Sequence, residues 1–276
     1  MSTLISVLSF CYYTISFFSY TIFMKLISFN VNGIRAVYKK GVFDDLFKLK
    51  ADIICIQETK ATPDQLPEQV LNPKGYFSYF DSSKIRKGYS GVAVYTKVKP
   101  EKIEYGLGAD HMDLEGRLLT LYFKDFILMN CYWPNGGKSD EHFLYKLDYY
   151  TQFLKRAKSL EKKKPVIFMG DVNATVADID LARPKENAGH LGCTAEERTL
   201  LAKYVSAFID TFRFIHGDKI KYTWWDMKTR ARERNIGWRI DYVFTSKILE
   251  KKIKKAEILN DVLGSDHCPI LLDIEM

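Results

Sequence analysis

The chain has 276 residues, and with 47% hydrophobic residues it can bury a sizeable core, which excludes an intrinsically disordered protein. Its formal net charge of +7 favours a polyanionic partner. The five cysteines are odd in number and form no CxxC pair, so a zinc ribbon is disfavoured and a reducing, cytoplasmic location is expected.

The N-terminal segment differs from the rest of the chain, because residues 1–24 carry no charge and are mainly apolar. Its length would suit a membrane span. However, no basic stretch precedes it, no Ala-x-Ala-like site follows it, and Ser and Thr recur throughout. We therefore rank Met24 as the working start first, a membrane anchor second and a cleaved signal third. Residues 1–23 are treated as an extension and residues 24–276 as one globular domain, since no Pro/Gly/Ser-rich linker divides them.

The globular part alternates apolar runs with a few amphipathic ones. Strands outnumber helices, and several are apolar throughout, as sheets covered on both faces require. This pattern predicts packed α/β layers. Two strand ends also echo each other, at residues 29–32 and 170–173, as if two similar halves faced one site. The predicted strands are residues 25–29, 52–57, 91–96, 117–123, 126–132, 166–169, 240–244 and 269–274, and the predicted helices are residues 42–48, 141–160 and 195–207.

Two motifs at strand ends carry the chemistry of a phosphate-cleaving centre. Gly170-Asp-Val-Asn173 closes one apolar run, and Gly264-Ser-Asp-His267 opens another. Asp171 is the candidate that orients or deprotonates an attacking water, and Asn173 the candidate that donates a hydrogen bond to the phosphate. Both residues could instead cap a turn, which is a common use of Asp and Asn.

Glu58 is the candidate metal ligand, because it directly follows the buried run 52–57. A lone carboxylate there is a poor core residue but suits Mg²⁺, which takes few protein carboxylates together with water and phosphate oxygens. The alternative is an ordinary helix-start residue. Asn30, Asn32 and Asp266 cluster at strand ends as well, which favours the metal site.

His267 is predicted to touch a non-bridging phosphate oxygen while Asp241 orients its imidazole. A lone histidine is more often structural than catalytic, but the neighbouring Asp266 and a spare carboxylate in another strand favour catalysis. Tyr132 precedes the turn at residues 133–137, which would hold its phenol at the rim of the site; a core aromatic is the alternative.

Aromatic and basic residues suggest what the centre binds. Trp224, Trp238 and Ile240 could line a small apolar pocket for a sugar without its base, or could belong to the core. The basic clusters at residues 84–87 and 228–232 lie beside aromatic residues that can stack on bases, so we expect nucleic-acid contact there.

The third basic cluster, residues 251–255, is interpreted as a solvated helix face. Trp225, next to Trp224, is expected in the core.

The order of these motifs resembles the exodeoxyribonuclease III family of abasic-site endonucleases, within the endonuclease/exonuclease/phosphatase superfamily. The resemblance extends from Met24 to the end of the chain. GDxN and SDH occur across the superfamily, whereas the Ile-Asp-Leu, Pro-Lys, Thr-Trp-Trp and Gly-Trp-Arg-Ile-Asp blocks are specific to its DNA-repair branch. The matching blocks are residues 30–33, 57–60, 88–91, 115–117, 132–135, 170–173, 179–181 with 184–185, 237–241 and 265–267.

This resemblance implies a four-layer α/β (α+β) sandwich, in which two mixed β-sheets pack face to face between helices. It implies a monomeric DNA-repair hydrolase that cleaves on the 5′ side of an abasic site in duplex DNA and leaves a 3′-hydroxyl, with Mg²⁺ as cofactor and Mn²⁺ as a substitute. By matching motif, Asn32, Glu58, Asp171, Asn173, Asp266 and His267 form the metal site; Tyr132, Asp171, Asn173, Asp241 and His267 are catalytic; and Asn30, Arg35, Lys60, Tyr89, Lys138, Asn187, Trp224, Trp238 and Ile240 contact phosphate or DNA.

The loop at residues 187–195 departs from the pattern, because many relatives have a basic loop ending in Ala-Gly-Phe-Thr-Pro there. The balance of endonuclease, 3′-exonuclease and 3′-phosphatase activity on blocked ends is therefore open. His190 could contact DNA, but we favour an exposed loop histidine. Two other functions compete: a membrane-associated phosphodiesterase of the sphingomyelinase kind, which the apolar N-terminus would explain, and a noncatalytic DNA-binding relative.

Overall fold

The computed structural model describes residues 23–276, so the predictions for residues 1–22 lie outside it. Within that range no helix combines the length and apolarity that crossing a membrane requires. The strands are β1 (Phe23–Asn30), β2 (Ile53–Gln57), β3 (Phe77–Asp81), β4 (Val92–Thr96), β5 (Lys102–Tyr105), β6 (Leu118–Tyr122), β7 (Ile127–Tyr132), β8 (Val166–Asp171), β9 (Phe208–Asp210), β10 (Asp241–Ser246), β11 (Ile253–Ile258) and β12 (Ile270–Glu275). The helices are α1 (Ile34–Lys39), α2 (Val42–Lys48), α3 (Glu68–Leu71), α4 (Asp140–Glu161), α5 (Ala195–Ala207) and α6 (Thr211–His216).

The strands form two six-stranded sheets, with orders β11-β12-β1-β2-β4-β3 and β5-β6-β7-β8-β10-β9. Each sheet is mixed, because its central pair, β1–β2 or β7–β8, is parallel and its other pairs are antiparallel. The carboxyl ends of the parallel strands of one sheet lie at one edge, so the side chains that follow them can meet.

Three apolar clusters separate four layers. One fills the space between the sheets and includes Leu26 and Val94 from the first sheet and Met169 from the second. A second joins α1, α2 and α3 to the outer face of the first sheet, and a third joins α4 and α5 to the outer face of the second. The predicted four-layer α/β sandwich is confirmed.

All eight predicted strands are present, and they are the inner strands of the two sheets. The four strands absent from the prediction, β3, β5, β9 and β11, are the sheet edges. The interpretation of residues 251–255 as a helix face was wrong: a 3₁₀ turn ends at Lys252 and β11 follows. Ile253 and Ala256 are buried there while Lys254 and Lys255 are exposed, because an edge strand still packs one face on the core.

A buried amide pair connects the two sheets beneath the strand ends. Gln57, in β2, donates through Nε2 to Asn130 Oδ1 in β7 at 2.7 Å. Asn130 in turn donates to the carbonyls of Ile56 and Ala93, at 3.0 and 2.9 Å. Because unpaired buried amides are costly, these bonds favour one relative position of the two sheets.

The echo between residues 29–32 and 170–173 corresponds to one turn built twice. After β1, the Oδ1 atom of Asn30 accepts from the backbone N–H of Asn32 at 2.9 Å; after β8, Asp171 Oδ1 accepts from the N–H of Asn173 at 2.8 Å. Asn32 and Asn173 both have positive φ, 46° and 58°. The turns occupy equivalent places, since β1 and β8 are each an inner parallel strand of a sheet.

Asp81 should make the stability of the fold depend on pH. This buried carboxyl, at the end of β3, leaves Oδ2 without a hydrogen-bond partner, and burial raises its pKa from 3.8 to about 7, with Lys84 opposing the shift. The fold favours the neutral acid. The stability that this preference contributes is therefore fully present below the ordinary pKa of 3.8 and is lost as the pH rises through about 7. Asp81→Asn should therefore be more stable than the wild type above that pH, by roughly 1–3 kcal/mol in urea unfolding.

The matched control is Asp110→Asn, because Asp110 is exposed. The control should leave the pH profile of unfolding free energy unchanged. An Asp81→Asn variant with the wild-type profile would show that Asp81 is solvated in the folded protein.

Candidate active site

A cavity of about 520 Å³ opens where the two sheets present their strand ends. It receives side chains from β7, from the loops after β1, β2, β7 and β8, and from the segments before β10 and before β12. Its lining residues are Asn32, Glu58, Lys60, Tyr132, Asn135, Asn173, His190, Leu191, Gly192, Trp224, Trp238, Ile240, Asp266 and His267.

Asn30 joins the carboxylates of the two sheets. Its Nδ2 atom donates to Glu58 Oε1 at 2.9 Å and to Asp171 Oδ2 at 2.8 Å. Asn30 is fully buried and Asp171 nearly so, which fixes both side chains from behind the cavity wall. Sequence reasoning placed Asn30 on the phosphate; in this structure its amide nitrogen is directed at two acidic groups.

His267 lies between two carboxylates. Its Nδ1 is 2.8 Å from Asp241 Oδ2, and its Nε2 is 3.9 Å from Asp171 Oδ2. Burial alone would lower the pKa of this imidazole, but the charges of Asp241 and Asp171 outweigh burial and raise it above its ordinary value of 6.5. The imidazolium form is therefore favoured, with Asp241 holding one N–H and the other directed towards Asp171.

The same surroundings shift the pKa values of the neighbouring carboxyl groups in opposite directions. Burial and the neighbouring charge of Asp241 raise the pKa of Asp171, while the charge of His267 opposes this shift. Burial also acts against ionisation of Glu58, yet the charge of Lys60 and the hydrogen bond from Asn30 keep its pKa below the ordinary value. Burial also acts against ionisation of Asp266, yet the charge of His267 and the hydrogen bonds from Asn32 and Trp224 together keep its pKa below the ordinary value.

The acidic groups can hold a cation. One ligand atom each from Glu58, Asp171 and His267 lies within 4.8 Å of the others. Asn32 Nδ2 donates to Asp266 Oδ1 at 3.0 Å, and the Lys60 ammonium contacts both Asn32 Oδ1 and Glu58 Oε2. The Lys60 ammonium thus places positive charge against these oxygens, as expected where acidic groups outnumber basic ones.

The donor set fits a hard divalent ion. Carboxylate and amide oxygens are the ligands such ions prefer, and an added positive charge would favour the ionised form of Asp171. A charged imidazole has no free lone pair, so His267 fits the phosphate role better than the metal role. Asn173 donates through Nδ2 to Trp133 O at 2.9 Å and accepts from Asn135 at 3.1 Å, which leaves one N–H of its amide for a ligand.

An aromatic recess adjoins the charged cluster. The rings of Trp224 and Trp238 lie edge to face, with centroids 6.3 Å apart, and Ile240 is buried beside them. Trp224 Nε1 donates to Asp266 Oδ2 at 3.0 Å, so the recess and the acidic cluster share a hydrogen bond. Gly192 closes the other side: a Cβ atom there would lie 2.9 Å from Trp238 Cζ3. As predicted, the adjacent Trp225 is in the core.

Four residues predicted to bind DNA lie outside this cavity. Arg35 and Lys138 are exposed, and Tyr89 is half-buried in an adjoining cavity of about 100 Å³ that also contains Lys138. The Lys138 ammonium lies 4.5 Å from the centre of the Tyr89 ring. Asn187 donates to the carbonyls of Ala182 and Arg183, at 3.2 and 3.0 Å, and so shapes its own loop.

Arg117 is a contributor that sequence reasoning did not single out. Its guanidinium is buried 4.8 Å from the ring centre of Tyr132 and donates to Tyr132 O at 3.1 Å and to Tyr89 Oη at 2.8 Å. It pairs with Glu115 at 2.6 Å. The Glu-Gly-Arg block at residues 115–117 was the available signal. His190 was expected to be exposed, and it is, but it also lines the cavity.

Residues 27–267 match the model of the endonuclease/exonuclease/phosphatase family. The chain therefore belongs to that family, which comprises metal-dependent nucleases and phosphatases. It is 42% identical to the exodeoxyribonuclease of Bacillus subtilis, over 92% of this chain and 100% of that protein. It is 38% identical to the DNA repair nuclease APEX1 of Danio rerio, over 90% of this chain and 81% of that protein. A solved AP endonuclease from Archaeoglobus fulgidus superposes with a TM-score of 0.82 at 29% identity, over 92% of this chain and all of that one. The resemblance to the exodeoxyribonuclease III family is confirmed.

Proposed function

We propose that the protein repairs DNA by hydrolysing the phosphodiester on the 5′ side of an abasic site in duplex DNA, leaving a 3′-hydroxyl. The main observation behind this proposal is that one cavity combines a charged region with an apolar one. An acidic cluster that fits a metal ion lies beside an aromatic recess formed by Trp224, Trp238 and Ile240. We expect this recess to receive a sugar that has lost its base, because the recess wall is aromatic and apolar.

Glu58, Asp171, Asp266 and Asn32 are the residues that would hold Mg²⁺, with Mn²⁺ as a substitute. The bound ion would supply charge neutralisation at the phosphate and at the leaving oxygen. Asp171 would hold the attacking water through its carboxylate. The imidazolium of His267, the Asn173 amide and the Tyr132 phenol would donate to phosphate oxygens, where negative charge builds up during the reaction.

The pKa shifts support this division of roles. Burial raises the pKa of Tyr132 well above its ordinary value, so its phenol keeps the proton that it would donate. The Arg117 guanidinium and the strand end hold that phenol in place. Asp241 would orient His267 without touching the substrate, because its Oδ2 atom is bonded to Nδ1 of that ring and its side chain does not line the cavity.

The direct test uses a labelled duplex with one abasic site, incubated with Mg²⁺ or with a chelator. Cleavage 5′ to the site that needs the metal is the expected result. The same assay scores 3′ resection and removal of a 3′-phosphate. Absence of nicking by purified, folded protein with Mg²⁺ would refute the proposal.

Trp238→Ala should separate substrate recognition from chemistry. Removing this indole opens the recess without touching the acidic cluster, so discrimination between abasic and intact duplex should fall by about 10–100-fold, corresponding to roughly 1–3 kcal/mol per base-sized stacking contact. Removal of a 3′-phosphate should change much less. Equal losses of kcat/KM on both substrates would reject the recess as the recognition element.

A second activity, at blocked 3′ ends, is favoured by the loop that departs from the family pattern. His190, Leu191 and Gly192 line the cavity opposite Trp238. A loop at that position contacts whatever occupies the recess, so it would set the balance between nicking and 3′-end processing. We further propose that the protein acts as a monomer in the cytoplasm, where the free buried thiols of Cys55, Cys131, Cys193 and Cys268 would stay reduced.

A further inference from the structure

Arg232 belongs to a basic cluster expected to contact nucleic acid, yet its side chain turns inward. Nη2 donates to the carbonyl oxygens of Asn260 and Val262, at 2.7 and 2.9 Å. Nη1 donates to those of Ser265 and His267, at 3.2 and 3.5 Å. The guanidinium also lies 4.6 Å from the centre of the Trp225 ring. Arg232 is not among the residues that line the cavity.

The carbonyls that Arg232 binds belong to one irregular loop, residues 259–269, between β11 and β12. This loop carries Asp266 and His267, which face the cavity. An isolated antiparallel bridge joins its His267 to Trp224, and otherwise its conformation depends on bonds from its surroundings. Arg232, which does not line the cavity, supplies bonds to four separate residues of the loop.

The same guanidinium couples this loop to the aromatic recess. Arg232 stacks on Trp225, whose backbone N–H donates to the carbonyl oxygen of Asp266 at 3.0 Å. The preceding residue, Trp224, donates through its indole N–H to the Asp266 carboxylate. Movement of Arg232 would therefore release both the backbone of the loop and the tryptophan segment packed against it.

We propose that Arg232 is a positioning residue that holds Asp266 and His267 at the active site through the backbone of the loop that carries them. The role depends on the planar fork of the guanidinium, which reaches several carbonyls at once while its face stacks on an indole. A lysine keeps the charge but donates from a single nitrogen that cannot reach all four carbonyls, so the Arg232→Lys variant should not retain this role. This inference rests on the proposed function only through the choice of substrate.

The test compares Arg232→Lys and Arg232→Ala with the matched variants Arg234→Lys and Arg234→Ala. Arg234 lies in the same 3₁₀ turn, is exposed and donates to Thr229 O. Each variant is assayed on whichever of the abasic, 3′-recessed or 3′-phosphate duplexes the wild type cleaves. A wild type inactive on all three contradicts the proposed function, whereas a wild type active on any of them allows Arg232 to be judged independently.

The Arg232 variants should lose about 10–100-fold in kcat with KM within about threefold, while the Arg234 variants keep wild-type kcat. Guanidinium ion at millimolar concentration should restore part of the activity of Arg232→Ala, because it can reoccupy the space beside the four carbonyls. Rescue of this kind is not expected for a variant that is merely unstable. If Arg232→Ala does not fold, a melting curve will show it, and Arg232→Lys then carries the comparison.

Binding of the same duplex in the presence of chelator provides a readout independent of catalysis. A positioning role predicts affinity and salt dependence equal to those of the wild type. A direct phosphate contact predicts weaker binding at every sequence and a salt slope reduced by about one, which would overturn the proposal. Wild-type kcat in Arg232→Lys would overturn it as well.

Discussion

Asp171→Asn should lower kcat for abasic-site nicking by about 10³-fold while leaving DNA binding in chelator within about threefold of the wild type. Asp171 is almost fully buried, accepts hydrogen bonds from Asn30 and from the backbone of Asn173, and lies 3.9 Å from His267 Nε2. Asparagine keeps the shape of the side chain but removes the charge that would hold the attacking water and the metal. Single-turnover cleavage of a labelled duplex measures the effect on the chemical step.

Asp178→Asn is the matched control, since Asp178 is exposed and pairs with Arg198 on the surface. It should retain full activity. A loss smaller than about tenfold in Asp171→Asn would assign the water-activating role to another group.

Asp241→Asn should lower kcat by about 10²-fold or more, because it removes the charge that keeps His267 protonated and oriented. Asp241 is the largest of the charges that raise the pKa of the imidazole, so the variant should favour the neutral ring more than the wild type does. The neutral ring can no longer donate from both nitrogens. The imidazole resonances of His267, followed by NMR against pH in the metal-free protein, should titrate at a lower pH in the variant.

A double-mutant cycle identifies the partner through which Asp241 acts. If orientation and charging of His267 are its role, then His267→Ala combined with Asp241→Asn should be no slower than His267→Ala alone. Additive losses would show that Asp241 acts on the substrate or metal directly. Because Asp241 lies in β10, melting temperatures of all three variants are needed to show that the sheet is intact.

The sequence predicted the inner strands well because each of them is covered on both faces. The burial of β2 and β4 is continuous, so their residues are apolar in unbroken runs that a sequence reveals directly. The edge strands β3 and β5 are partly exposed on both sides. Their residues mix polar with apolar types, and only the pairing with a neighbouring strand makes them strands.

Site residues that terminate inner strands could be identified for the same reason. Glu58 and Asp171 interrupt or follow apolar runs, and such acidic residues have few uses in a core. Residues that act from a distance could not be found this way. Arg117 lies beneath Tyr132, and Arg232 binds a loop about 30 residues further along the chain. Both look like ordinary surface arginines until the fold brings their partners to them.

The duplicated turn shows why near-symmetry in this fold stops short of identity. Its two copies present Asn30 and Asp171, which face each other at 2.8 Å and differ in a single terminal atom. Two carboxylates at that separation could not both ionise, and two amides would offer no base. With an amide opposite an acid, the two otherwise equivalent positions have different roles. Asn30 donates the hydrogen bond that stabilises the charge, and Asp171 carries that charge.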